Sequence, residues 1–221
     1  MAVAYFVPLA YTSLAYGAVW ALRLAGWNWD FVYAVANEIG LKGLPVWASF
    51  TLGIFFMATG GVIQNLSMTL GEEIGWRGLL LPQLAMQMSF TKASLVSGLI
   101  WAAWHCPLLL FADYNTGTNR WYALSCSTIT CTSVSFILAW LRLKSDSLWP
   151  AALLHASHNL FVPIIFDNVT RNTGTTLWYT TVFGAALAAT STVFAFYFWM
   201  RRTEIQPTTT EKISAEAAAF A

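Results

Sequence analysis

Six stretches of the chain, 3–22, 46–66, 94–112, 121–141, 148–166 and 177–200, contain not one Asp, Glu, Lys or Arg. Each approaches the length of about 20 apolar residues that an α-helix needs to cross the hydrocarbon core of a bilayer. In lipid, every backbone N–H and C=O must find its partner within the protein, so apolar runs of this length fold as helices. Only 10% of the residues are charged and 57% are hydrophobic, whereas soluble domains carry roughly a quarter charged residues. The expected fold is all-α, a polytopic transmembrane helix bundle of about six spans, counted from those stretches. Residues 1–202 read as a single integral-membrane domain with its polar motifs within 46–166, and 203–221 as a disordered cytoplasmic tail.

The first apolar segment has no basic leader and no clear small-residue cleavage site, so a cleaved signal peptide is not expected. A net charge of +1 gives no basic field for nucleic acid. Cys106, Cys126 and Cys131 form no CxxC pair and are odd in number; they read as buried thiols. Between the second and third spans lies 71–88, which mixes charged and apolar residues. Its beginning continues the second helix, and 78–88 is expected to be an interfacial or re-entrant piece. With six spans, one side collects Arg77, Lys92, Arg142, Lys144, Arg201, Arg202 and Lys212, the other Arg23, Lys42, Arg120 and Arg171. Seven against four places both termini in the cytoplasm. Trp121, Trp149 and Trp178 fall at segment ends, as an interfacial aromatic belt requires.

Polar residues inside such a chain are costly and therefore informative. Glu72, Glu73 and Arg77 follow the second span; residues i and i+4 share a helix face, so Glu73 and Arg77 can pair and leave Glu72 free. Alone, these residues would equally suit a cytoplasmic helix cap. His105 lies within 94–112, after Trp101 and before Pro107, where a freed backbone group can kink or open the helix. His155, His158 and Asn159 fall at i, i+3 and i+4 in 148–166, beside small residues Ala151, Ala152, Ala156 and Ser157 that let another helix approach closely. Three polar clusters on separate spans are satisfied together if they meet in one internal cavity. Their inventory of carboxylates, imidazoles, an arginine and an amide is that of a hydrolytic site.

The pattern resembles the CAAX protease and bacteriocin-processing family, also called the type II CAAX prenyl protease or Abi family of intramembrane proteases. The family's Glu-Glu-x-x-x-Arg motif is matched by Glu72, Glu73 and Arg77, followed by Gly78, Leu79 and Leu80. Trp101 stands where Phe is usual, four positions before His105, and the later His-x-x-x-Asn is matched by His155 and Asn159. The resemblance covers about 55–166. Relatives commonly carry more helices before the first motif, so the chain is expected to be a short version.

This resemblance implies that Glu72 and His105 activate a water that attacks a peptide carbonyl, while His155 and Asn159 hold the oxyanion. Glu73 and Arg77 then lock the helix presenting Glu72, with Trp101 and His158 supporting or lining the site. No cofactor is expected; the competing possibility is zinc held by Glu72, His105 and His155, although no His-Glu-x-x-His helix is present. A non-catalytic family member acting in bacteriocin immunity or partner binding would carry the same motifs. A proton-coupled carrier could also use them, but the lack of internal repeats argues against it. The implied partners are the lipid bilayer and a membrane-associated protein or peptide substrate, in a prokaryotic plasma membrane, with a leader, pheromone or membrane segment favoured over a prenylated protein.

Overall fold

The computed structural model describes residues 1–41, 43–112, 114 and 117–205. Lys42, Asp113, Lys212 and the expected tail beyond residue 205 lie outside the described residues. The chain starts with α1 (Ala2–Ala21), a two-residue strand β1 (Gly26–Trp27) and a short helix α2 (Trp29–Ile39). Asn28 caps α2, its side chain accepting from Phe31 N–H, and Gly40 ends it in the left-handed region at φ 65°. Next come α3 (Val46–Glu73), a π-helical stretch (Ile74–Leu80) and α4 (Leu81–Ala85). Then follow α5 (Phe90–Phe111), α6 (Arg120–Ser145), α7 (Trp149–Asn159), a second π-helical stretch (Leu160–Phe166), and α8 (Asp167–Val169). Strand β2 (Thr170–Arg171) pairs antiparallel with β1, and α9 (Ala185–Met200) closes the bundle.

Among the described residues, four helical rods, Ala2–Ala21, Val46–Ala85, Phe90–Phe111 and Arg120–Ser145, are long and apolar enough to cross a membrane. One expectation about the rods is refined and another corrected. The stretch 78–88 starts as a continuation of α3 and not as a separate re-entrant piece: helix runs without a break through Val46–Ala85, 40 residues, or about 60 Å, longer than a bilayer core of about 30 Å, so an interfacial end remains in keeping with it. Just before that stretch, Glu73 and Arg77 neutralise one another inside the bundle, both at 0% exposure. The last expected span, 177–200, is helical in α9 only from Ala185; before it come a 3-10 turn (Thr176–Trp178) and an irregular segment with Thr181 at φ 67°. Helix α5, by contrast, runs unbroken past Pro107.

Helices α6 and α7 form the interior. Ala151, Ala152, Ala156 and Ser157 on α7 all have 0% exposure, and α7 packs against α1, α3 and α6. On α5, a Cβ at Gly98 would lie 2.7 Å from Thr132 Cα of α6, so the backbones approach more closely than any other residue allows. Large apolar side chains such as Ile63, Met68 and Phe111 point outward at 71%, 73% and 86% exposure, the inverse of a water-soluble surface and the arrangement lipid requires. The ends of α6 and α9 meet in a basic cluster: Lys144 and Arg201 both bond Glu204, and Trp140 Nε1–H donates to the Arg201 carbonyl. Arg77, counted as a loop charge from the sequence, is instead fully buried and belongs to the interior.

Candidate active site

Successive residues on an α-helix point about 100° apart, and that rotation separates the two glutamates at the end of α3. Glu73 faces the bundle and is fully buried; Glu72 is exposed and lines a cavity. Glu73 Oε1 accepts from Arg77 Nη1 at 2.8 Å and from His155 Nδ1 at 2.9 Å. Arg77 also donates from Nη2 to Ser135 Oγ at 2.7 Å, and its guanidinium lies 4.6 Å from the Trp101 ring centroid. Burying an ion pair exacts a desolvation cost that only such additional contacts offset.

The π-helical geometry beside this pair has a local cause and a local consequence. Leu81 N–H bonds the Trp76 carbonyl five residues back. The Arg77 carbonyl would look in turn to residue 82, which is proline and has no N–H. Arg142 Nε fills that vacancy, donating to the Arg77 carbonyl at 3.0 Å and tying α6 to the motif. A second π-helical stretch begins directly after Asn159, so two of the three motif-bearing rods widen next to their polar residues, a recurring feature of functional helices.

Helix α5 supplies Trp101 and His105. His105 Nδ1–H donates to the Trp101 carbonyl at 3.0 Å, which leaves Nε2 free as an acceptor. The Trp101 ring meets the His105 and His155 rings edge-on, with centroids 6.0 and 5.1 Å away. From α7, His155 is held through Nδ1 by Glu73, and the Tyr11 hydroxyl of α1 hydrogen-bonds His158 Nδ1 at 2.6 Å. Asn159 makes no side-chain hydrogen bond among the described residues and is half-buried.

Glu72, Trp101, His105, His155, His158 and Asn159 line one cavity of about 840 Å³. Glu73 and Arg77 lie behind its wall, reaching it through His155 and Trp101. All three cysteines are free.

Zinc needs three or four ligand atoms about 2.0–2.3 Å from one point. Among the described residues, no group of three or more His, Cys, Asp or Glu side chains is placed to hold a metal. Glu72, His105 and His155 are thus not gathered around one point in this structure. Acceptors that orient the imidazoles are present, since Trp101 O serves His105 and Glu73 Oε1 serves His155 despite its pairing with Arg77.

Residues 47–161, more than half of the chain, match the Rce1-like type II CAAX prenyl endopeptidase family. The chain belongs to this family. The matched span contains all six of these cavity-lining residues, five from the motifs and His158 beside them, together with Glu73 and Arg77. A relative, the CAAX prenyl protease 2 of Methanococcus maripaludis, is 31% identical over 96 residues, covering 40% of this chain and 34% of the relative. The chain thus spans about a third of the length of the curated relative it matches. No solved structure matches.

Sequence reasoning missed three participants. Ser135 is one of several serines on α6, and nothing in its spacing singles it out as the Arg77 partner. Tyr11 carried a usable signal, because a tyrosine within an apolar run needs a hydrogen-bond partner for its hydroxyl. Asp167 lines the same cavity from the start of α8; its position just past an apolar segment made it look like an ordinary helix end.

Proposed function

We propose that this protein is an intramembrane endopeptidase that hydrolyses a peptide bond of a membrane-associated protein or peptide. What supports this reading is one observation: Glu72, His105, His155 and Asn159, from three helical rods far apart in sequence, border a single cavity within the family-matched region. In this mechanism a water is held between the Glu72 carboxylate and His105 Nε2, the nitrogen left free by the Trp101 carbonyl bond. Glu72 takes the water's proton as its oxygen adds to the peptide carbonyl carbon. The oxyanion is held by the Asn159 amide N–H and by His155 Nε2–H, each worth about 3–4 kcal/mol if preorganised. A His155 that donates from Nε2 carries protons on both nitrogens, and Glu73 Oε1 is the acceptor for its Nδ1 proton. Collapse breaks the C–N bond, and the proton held by Glu72 passes to the departing amine.

The mechanism uses no metal, so activity survives chelation by 1,10-phenanthroline. Both termini lie in the cytoplasm of a prokaryotic plasma membrane, a reading supported by the cluster of Arg142, Lys144, Arg201 and Arg202 at one end of the bundle. Reconstitution in liposomes with a fluorogenic membrane-segment peptide tests the activity. Release of product by the wild-type protein that is absent with Glu72→Ala supports the peptidase. Equal release by both proteins, or none by either, favours a non-catalytic role in immunity or partner binding.

A further inference from the structure

A second carboxylate in the cavity has no part in that mechanism. Asp167 lines the cavity from the start of α8. Its Oδ1 accepts from the Tyr16 hydroxyl, and that hydroxyl accepts from the Thr181 backbone N–H at 3.0 Å. Thr181 occupies the left-handed region at φ 67°, which is costly for a β-branched residue and aims its N–H at the tyrosine. Asp167 is thus held in place from α1 and from the segment before α9, by neutral donors only. Among the described residues it forms no ion pair. Among the described residues no Lys or Arg lines the cavity, and the His155 imidazolium of the mechanism is already paired with Glu73, so Glu72 and Asp167 face the space without a cation of their own. A poorly solvated carboxylate without a cation is costly, and a cation brought by a ligand removes that cost.

Asp167 follows Asn159 by eight residues on one helical rod, a rise of at most about 12 Å, since the π-helical stretch Leu160–Phe166 between them climbs less per residue than an α-helix. An extended peptide covers that distance in at most about four residues, at 3.3–3.6 Å each. We propose that Asp167 forms a subsite for a cationic side chain of the substrate, within about four residues of the bond that is cleaved. The subsite rests on the peptidase reading for its role, but its binding chemistry is separable from turnover. It also disfavours an acidic residue at that position, since among the described residues no Lys or Arg lines the cavity to receive one.

The test uses the full chain in detergent micelles and two N-terminally blocked membrane-segment peptides, identical except that one lysine is free in the first and acetylated in the second. Binding is read by fluorescence anisotropy with the wild-type protein and with Asp167→Asn, which removes the charge and keeps an oxygen for Tyr16. The wild type is expected to bind the free-lysine peptide about tenfold more tightly, and the variant to bind both alike. Equal affinities in the wild type, or a lysine preference that persists in Asp167→Asn, overturn the subsite. A merely structural role would lower the melting temperature of the variant and leave the wild-type preference ratio intact. Mass spectrometry of the same samples reports cleavage separately. Lysine preference without cleavage sinks the peptidase and keeps the subsite; cleavage without preference does the reverse.

Discussion

Two glutamates in this molecule each accept hydrogen bonds from two cationic or imidazole groups, and they do so in opposite surroundings. Glu73 is buried with Arg77 and His155, whereas Glu204 bonds Arg201 and Lys144 at an exposed end of the bundle. Attraction between the partners is similar in kind. What differs is the cost of losing one: in the interior the survivor is left as an unpaired charge, and at the surface water takes the vacated place. The buried network can therefore hold a site together, and the exposed one only trims an end.

Arg77→Ala gives the largest effect on stability. It strands Glu73 beside His155 and removes a fully buried side chain, with an expected loss of about 3–5 kcal/mol. Denaturant unfolding in micelles checks this, and a change as small as that of a surface charge would erase the distinction between the networks. Ser135→Ala ranks next. It removes one acceptor from the buried guanidinium, and a hydrogen bond to a charged group is worth about 1.5–3 kcal/mol; the melting temperature should fall without a change in which peptide bonds are cut. Glu204→Gln should change stability least, and high salt should mask even that change. Its pH dependence has a definite sign. The Arg201 hydrogen bonds, followed by that of Lys144, hold the Glu204 carboxyl down at about 2, below the ordinary 4.5. A depressed folded-state value contributes stability that is complete above pH 4.5 and is lost as the pH falls toward 2. Thermal scans should thus show a difference between wild type and Glu204→Gln that is constant between pH 5 and 8 and shrinks as the pH falls from 4.5 toward 2.

The contrast also marks what could be read from the sequence. Neighbours on one helix were legible, because the 3.6-residue repeat sets which side chains share a face. Glu73 with Arg77 is the clearest case, and it is seen at 2.8 Å. Segment ends marked by tryptophan were legible at two places: Trp121 and Trp149 stand at the starts of α6 and α7 and remain exposed. Partners on different helices were not. His155 meets Glu73 across 82 residues and Tyr11 meets His158 across 147, and no periodicity specifies how two rods are rotated against one another. Hydropathy also misled before α9, where Trp178, Val182 and Phe183 are apolar without being α-helical. The rod through 78–85 was hidden because Pro82 and Gln83 look like a break in a one-dimensional scan, whereas Pro82 fits the first turn of α4.

The proposed mechanism divides the neighbouring glutamates, Glu72 to the chemistry and Glu73 to the scaffold, and one measurement addresses that division most directly. Wild type, Glu72→Gln and Glu73→Gln are purified, their unfolding midpoints determined, and cleavage of one membrane-segment peptide followed in liposomes. Glu72→Gln should unfold at the wild-type midpoint and yield no product, because its exposed side chain supports no packing, while Glu73→Gln should unfold at a clearly lower midpoint. A Glu72→Gln protein that cleaves at the wild-type rate, or one that loses as much stability as Glu73→Gln, would contradict it.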